Sequence, residues 1–332
     1  MYNDEIDLLK FRCEYYFGIV DKIYLIESDM TFSGKRKDLH FSNLTTEEKE
    51  SLKIPVIPII LNRQHLNHND FNSRWNVEEE TRKQLLTYIF KYDINCHVFL
   101  SDADEFASIE QLEFVKNKIS VGEDIVGSIT MRTSYRRANW NLLGPGKKLL
   151  ASSVFPANIA TNTYIYNKGG RYLNAPLVCG EVGSHLSYLK MDSFGVSAKL
   201  SAFSHSEYDT EIMHNEMVVQ IADRYVVDHL PRARNLYFGL LRVRKSKKLN
   251  SVERSALEHR SDWFDFTKPK DRLIARIAAS IGITNSKECG EINKLANLLS
   301  PKGNSIGIQI STIIIFMLSR LRNLLKRKVL KR

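Results

Sequence analysis

The 332-residue chain lacks a run of the roughly 20 apolar residues that a transmembrane helix needs. Its most apolar segment, residues 306–318, is interrupted by Gln309, Ser311 and Thr312. Cysteine is sparse. Cys13, Cys96, Cys179 and Cys289 are widely scattered and form no CxxC pair, which argues against a disulfide framework or a cysteine-based zinc site and for reduced, structural thiols. Nor does the N-terminus show a basic stretch followed by an apolar one, so no secretory leader is expected and a reducing cytoplasm fits. Long low-complexity tracts and internal repeats are also missing. With 43% hydrophobic and 26% charged residues, the composition is that of a folded globular chain.

Acidic residues are absent from the last thirteen positions, where Arg320, Arg322, Lys326, Arg327, Lys328, Lys331 and Arg332 are concentrated. Without these seven, 41 basic residues face 38 acidic ones, so the formal charge of +10 belongs mainly to the tail. A body so nearly neutral, with few aromatics beside the basic run, disfavours nucleic acid as a partner. Behind the apolar segment, the tail instead predicts a helix lying on an anionic inner membrane leaflet. Docking of that helix on the protein's own core is the alternative.

Hydrophobic spacing predicts an α/β order over the first half: a helix over residues 4–17, a buried strand at 22–28, and a β-like run at 53–60 carrying Pro55 and Pro58. A helix at 74–91, a strand at 96–100, a helix at 109–119 and a strand at 124–133 follow. Short strands and loops are expected from 136 to 205, a helix near 211–224, and few strands after Arg232. The expected division is 1–230 as one α/β domain, 231–304 as a basic, mainly helical region, and 305–332 as the membrane-associating tail.

The strand at 96–100 ends directly in Ser101-Asp102-Ala103-Asp104-Glu105. In open α/β sheets, ligands gather beyond the carboxyl ends of the strands. Two carboxylates at i and i+2 in that position suit Mg²⁺ or Mn²⁺ shared with substrate phosphates, the ion neutralising a diphosphate leaving group. Asp102 and Asp104 are therefore the candidate metal ligands. His65 and His68 lack further ligands and predict no zinc site, and Asn43-Leu44-Thr45 is a glycosylation acceptor only on a secretory route.

Several segments, in order, resemble the family 17 glycosyltransferases. Asn3-Asp4-Glu5-Ile6-Asp7-Leu8-Leu9 with Arg12 is similar to the family's N-E-L-D-L-L-x-x-R. Val20-Asp21 and Glu27-Ser28, with Thr31, Ser33, Gly34 and Lys35, are similar to its V-D and V-E-x…T-x-S-G-K. Glu78 with Arg82, Ser101 to Glu105, Gly183-Ser184-His185-Leu186-Ser187 and the stretch from Lys199 to Glu207 complete the match over about residues 3–210. Two departures stand out. The short strand that usually precedes the first motif is not present, which leaves an edge of the sheet undefined, and Ser184 replaces a frequent Trp, which bears on the sugar pocket.

The resemblance implies a GT-A-like nucleotide-sugar-binding domain with a mixed central sheet, and inverting transfer from a UDP-sugar, UDP-N-acetylglucosamine in the first instance, to a glycan hydroxyl. Glu27, Ser28, Thr31, Ser33, Gly34 and Lys35 are then expected to hold the nucleotide. Arg82 either reaches the nucleotide or pairs with Glu78. His185 and His205 are candidates for a further metal ligand or a diphosphate contact, with His205 assigned to the metal. Inversion needs a carboxylate to take the acceptor's proton; Glu207 is the first choice, with Asp209, Glu181 and Asp192 as alternatives. Tyr135, Asn139 and Trp140 are expected to form an acceptor or sugar platform. The tail suggests a lipid-linked or surface glycan as acceptor. A metal-dependent phosphohydrolase or nucleotidyltransferase, or a catalytically silent glycan-binding module, are the competing functions.

Overall fold

The computed structural model describes residues 5–61, 71–123, 125–142, 148–167, 176–177, 181–202, 204, 208–209, 213–214, 216–228 and 239–266. All lie in the first of two compact units, Met1–Gly282. The apolar segment and basic tail at 306–332 lie outside the described residues, as do His65 and His68.

The chain opens with α1 (Ile6–Tyr15), β1 (Ile23–Ser28), α2 (Thr46–Glu50), β2 (Val56–Leu61), α3 (Phe71–Tyr92), β3 (His97–Leu100), β4 (Glu105–Phe106) and α4 (Ile109–Ser120). Then come β5 (Gly127–Tyr135), β6 (Trp140–Leu142), β7 (Lys148–Pro156), α5 (Thr163–Asn167), β8 (Pro176–Leu177) and β9 (Gly183–Ser187). The last described elements are α6 (Ser193–Ala202), α7 (Glu216–Tyr225), β10 (Val227–Asp228), β11 (Gly239–Val243) and α8 (Ser251–His259). The result is a mixed α/β architecture. Most sequence-derived elements fall within a few residues of these bounds; the strand β11 differs from the few strands expected after Arg232, and it extends the sheet beyond residue 230.

Local chemistry sets several helix starts. Thr45 with Glu48, Ser108 with Gln111 and Asn250 with Glu253 form capping boxes at the starts of α2, α4 and α8, each side chain satisfying a backbone N–H the helix leaves open. Pro58 is tolerated in β2 because, among the described residues, that strand pairs on one edge only, parallel to β1 from Val56 to Leu61.

The larger sheet runs β10-β11-β6-β5-β7-β3, with β8 and β9 parallel to β5 and β4 joined to β9. β5 is its centre, and seven of its nine residues are buried, as a strand covered on both faces requires. Gly183 is demanded by packing: a Cβ there would sit 2.2 Å from the Phe106 carbonyl oxygen where β9 meets β4.

Phe11, Tyr16, Phe106 and Trp263 lead the core between α1, α4 and α8. Ile26, Ile59, Leu86, Leu100 and Phe155 form a second between β1, β2, α3 and β3. Burial pushes the Cys13 and Cys96 thiols up to about 11, which suits inert structural cysteines. Among the described residues, no helix is long and apolar enough to cross a membrane.

Candidate active site

Arg12 builds the acidic turn. From α1 its guanidinium donates to Ser101 Oγ at 2.8 Å and to the carbonyl oxygens of Asp102 at 2.8 Å, Ala103 at 3.1 Å and Glu105 at 2.6 Å. The ring of Phe106 packs beneath it, 4.7 Å from centroid to guanidinium carbon. One planar fork thus holds the main chain of the turn between β3 and β4, whose Asp104 carbonyl also accepts from the Leu186 N–H of β9 at 2.7 Å. Glu105, itself buried, accepts from the Asp102 N–H at 3.1 Å and from Ser152 Oγ at 2.9 Å, which ties the turn to β7. Arg12 and Glu105 therefore shape the turn, while the side chains of Asp102 and Asp104 are the ones left for chemistry.

Each of those two carboxylates has its own protein cation. Arg82 on α3 lies 3.2 Å from Asp102 and also pairs with Glu78 one turn earlier, as the i,i+4 spacing expects. The other Glu78 oxygen accepts from the buried Ser204 hydroxyl, linking α3 to the segment after α6. Asp104 meets Lys199 of α6 at 3.2 Å and His185 of β9 at 3.5 Å. Burial pushes the Asp104 carboxyl up, but the charge of Lys199 and the contact with His185 outweigh it and hold the group well below the usual carboxylate range. Lys199 shows the mirror case: burial opposes its charge, and Asp104 together with Glu5 raises it above its ordinary value.

Arg12, Glu78, Arg82, Asp102, Asp104 and Lys199 line a cavity of about 570 Å³, which Thr31 and Phe32 also border. The loop after β1 is shaped by Thr31, whose hydroxyl meets Ser33 Oγ at 2.9 Å and accepts from the Lys35 N–H at 3.0 Å, with Gly34 at φ +80° making the turn. Lys35 is exposed. Ser28 is buried and accepts from the Met30 N–H.

Other expected residues lie elsewhere. Glu27 is fully buried, and its carboxylate accepts from the Phe41 and Ser42 N–H groups at 2.7 and 3.0 Å and from the Ser42 hydroxyl, so it anchors the loop and is not open to a nucleotide. The platform is likewise corrected. Tyr135 and Asn139 are 0% exposed and Trp140 is 2% exposed. Asn139 and the Trp140 indole both donate to the Asp265 carbonyl, holding the segment after α8. Ser184 is also internal, bonded to Asn250.

Among the alternative bases, Glu181 is occupied by the Ser251 N–H and Arg254, and Asp192 accepts from the Gly195 N–H at the start of α6. Asp209 bridges Arg74 at 3.3 Å and His214 at 2.7 Å, and the other His214 nitrogen meets Ser197 Oγ at 2.6 Å. His205 and Glu207 lie outside the described residues.

Two functional candidates were missed. Lys199 and Glu5 stand inside matched motifs, yet only the fold brings Lys199 to Asp104 from 95 positions away and Glu5 to within 4.0 Å of Lys199.

Among the described residues no group of three or more His, Cys, Asp or Glu side chains forms a metal cage. Asp102, whose side chain is 33% exposed, nevertheless supplies hard carboxylate oxygen at the mouth, with Asp104 beside it. Mg²⁺ and Mn²⁺ commonly take only one or two protein carboxylates and complete their shell with phosphates and water. The chemistry of these two side chains fits one such ion.

No curated protein matches the chain, and no solved structure does. A family model for glycosyltransferase family 17 matches residues 1–224, a span that includes Arg12, Arg82, the acidic turn, His185 and Lys199. The chain belongs to glycosyltransferase family 17, and so is a transferase acting between a sugar donor and a glycan acceptor.

Proposed function

We propose that the protein is an inverting transferase of GT-A-like fold that moves a sugar, N-acetylglucosamine in the first instance, from a UDP-sugar to a hydroxyl of a glycan. The observation that carries this reading is the pair Asp102 and Asp104, held at the end of β3 by Arg12 with Arg82 and Lys199 alongside. The arrangement offers carboxylate oxygens and fixed positive charge at the place where a diphosphate must be gripped and then released. Thr31 and Phe32 of the loop after β1 line the same cavity, and that loop suits the nucleotide, with exposed Lys35 available to a phosphate.

Mn²⁺ or Mg²⁺, held by Asp102 and Asp104 with His205 as the assigned third ligand, would neutralise the leaving diphosphate. Glu207 is the proposed base for the acceptor hydroxyl. Lys199 keeps Asp104 ionised and fixed, and Arg82 orients Asp102. The basic tail at 320–332 supports a location at the inner face of an anionic membrane and a lipid-linked glycan as acceptor. The transferase unit is proposed to occupy about residues 1–230, followed by the basic region to 304 and the tail.

Acceptor dependence is the test. UDP release that rises several-fold when a glycan acceptor is added, with the sugar recovered on it, supports transfer. UDP or phosphate release from nucleotides that is indifferent to every saccharide would replace it with a phosphohydrolase.

A further inference from the structure

We infer that Tyr188 is a positioning residue for transfer: the face of its ring fixes the Lys199 ammonium against Asp104, and the strained loop that carries the ring is locked in place by Arg136. This role rests on the transferase reading and deepens it at the same site.

A lysine ammonium is a compact charge on a flexible four-carbon stem, so its neighbours decide where it stands. Lys199 lines the cavity, 3.2 Å from Asp104 and 4.0 Å from Glu5. Both carboxylates attract the charge, but neither limits its approach to one direction. The third neighbour is the ring of Tyr188, over which Lys199 Nζ stands 5.1 Å from the centroid. An aromatic face attracts a cation along the ring normal, most strongly where water is excluded. Tyr188 is 2% exposed, so it acts through Lys199 and not on a substrate. The strand just before it, β9, also brings His185 to Asp104 at 3.5 Å and donates the Leu186 N–H to the Asp104 carbonyl at 2.7 Å. Asp104 is thus addressed from this one segment by side chain, by main chain and through Lys199.

The backbone at Tyr188 is unusual. Among the described residues, the non-glycine residues in the left-handed region are Arg136 at φ 63°, Tyr188 and Lys190 at φ 54°, and Val226 at φ 55°. For a bulky or branched side chain that conformation is an outlier, and it persists only where the surroundings over-determine it. Arg136, just past β5, donates its N–H to the Ser187 carbonyl at 2.9 Å, and its own carbonyl accepts the Lys190 N–H at 3.0 Å. It therefore clamps the main chain on both sides of Tyr188. The buried Arg136 guanidinium pairs in turn with Asp223 of α7 at 2.5 Å, and the Val226 N–H meets the Asp223 carbonyl at 3.3 Å. Tyr188 packs on Tyr135, with ring centroids 5.4 Å apart. The four strained residues form one knot around the ring beneath Lys199. Strain of this kind gathers where a side chain must be held in one place for function.

The consequence for transfer is kinetic. As the sugar–phosphate bond breaks, negative charge grows on the diphosphate, and a cation fixed beforehand stabilises it better than one that must first be reoriented. Loss of the ring face should therefore lower turnover more than donor binding.

The test replaces Tyr188 by Phe and by Phe analogues with one, two and three ring fluorines, which keep the shape and withdraw charge from the face. Turnover is read as UDP release, with Mn²⁺, from the UDP-sugar that the wild type uses. Tyr188→Phe is expected to retain most of the wild-type kcat. Along the fluorinated series kcat should fall stepwise, by roughly fivefold in all, with KM for the donor little changed. A flat series, or one in which KM rises while kcat holds, overturns the inference. Thermal unfolding gives a reading that needs no donor. Each fluorine should lower Tm in the wild-type background but not in Asp104→Asn/Lys199→Gln, which removes the cation without stranding a buried charge. Equal Tm losses in both backgrounds make the ring a space-filler and overturn its positioning role. Should the wild type turn over no UDP-sugar, the same contrast in Tm still upholds the ring's hold on Lys199, and the transferase reading alone falls.

Discussion

Lys199 stands 3.2 Å from Asp104, so the second acid of the turn is already neutralised by a helix 95 positions later in the chain. Removing one member of a buried pair leaves an uncompensated charge, which commonly destabilises by about 3–5 kcal/mol. Lys199→Met should therefore lower folding stability by roughly that amount in urea titration. Lys199→Arg, which keeps the charge, should lose clearly less.

The same pair sets a pH window. Asp104 has a depressed folded value, so its contribution is present above its unfolded value and is lost as pH falls through the folded one. Lys199 has a raised folded value, so its contribution is present below its unfolded value and is lost as pH rises through the folded one. The stability difference between wild type and the neutral double variant Asp104→Asn/Lys199→Gln should be constant from about pH 5 to about pH 9. A steady slope inside that window contradicts the assignment.

Arg12 makes four hydrogen bonds to residues 101–105, three of them to carbonyl oxygens. Arg12→Lys keeps the charge but not the fork. It should cost stability of about 2 kcal/mol or more, because buried acceptors are left open. Donor turnover should fall with it, since Asp102 is no longer held. Unfolding and turnover measured on one preparation check both.

At Gly183 the steric demand is for a missing side chain, not for an unusual φ. Because the blocking atom is a backbone oxygen 2.2 Å away, Gly183→Ala must shift β9 from β4. A loss of about 1–3 kcal/mol is expected, and thermal unfolding measures it.

How far the sequence revealed all this follows from range. The acidic turn, α1 and α3 were legible because a short apolar run, helical spacing and an i,i+4 pair are local signals. The role of Glu27 was not, because the N–H groups of Phe41 and Ser42 that claim its carboxylate come from a loop fourteen residues on. Asn139 and Trp140, just past a strand and with an aromatic face that suits a sugar ring, read as a platform, but both serve Asp265, 126 and 125 positions away. β11 is not legible because a five-residue strand that runs into Arg244 and Lys245 lacks clear alternation; its pairing with β6 defines it. Lys199 stood within a matched motif, yet its charge acquires a function only against Asp104.

UDP release from a panel of UDP-sugars, with Mn²⁺ or with EDTA, for wild type, Asp102→Asn and Asp104→Asn, tests the central claim most directly. Turnover of one UDP-sugar that requires the metal and falls at least a hundredfold in Asp102→Asn, with that variant still folded, is the predicted result. A folded wild-type protein that neither binds nor turns over any UDP-sugar, or an Asp102→Asn variant as active as wild type, contradicts it.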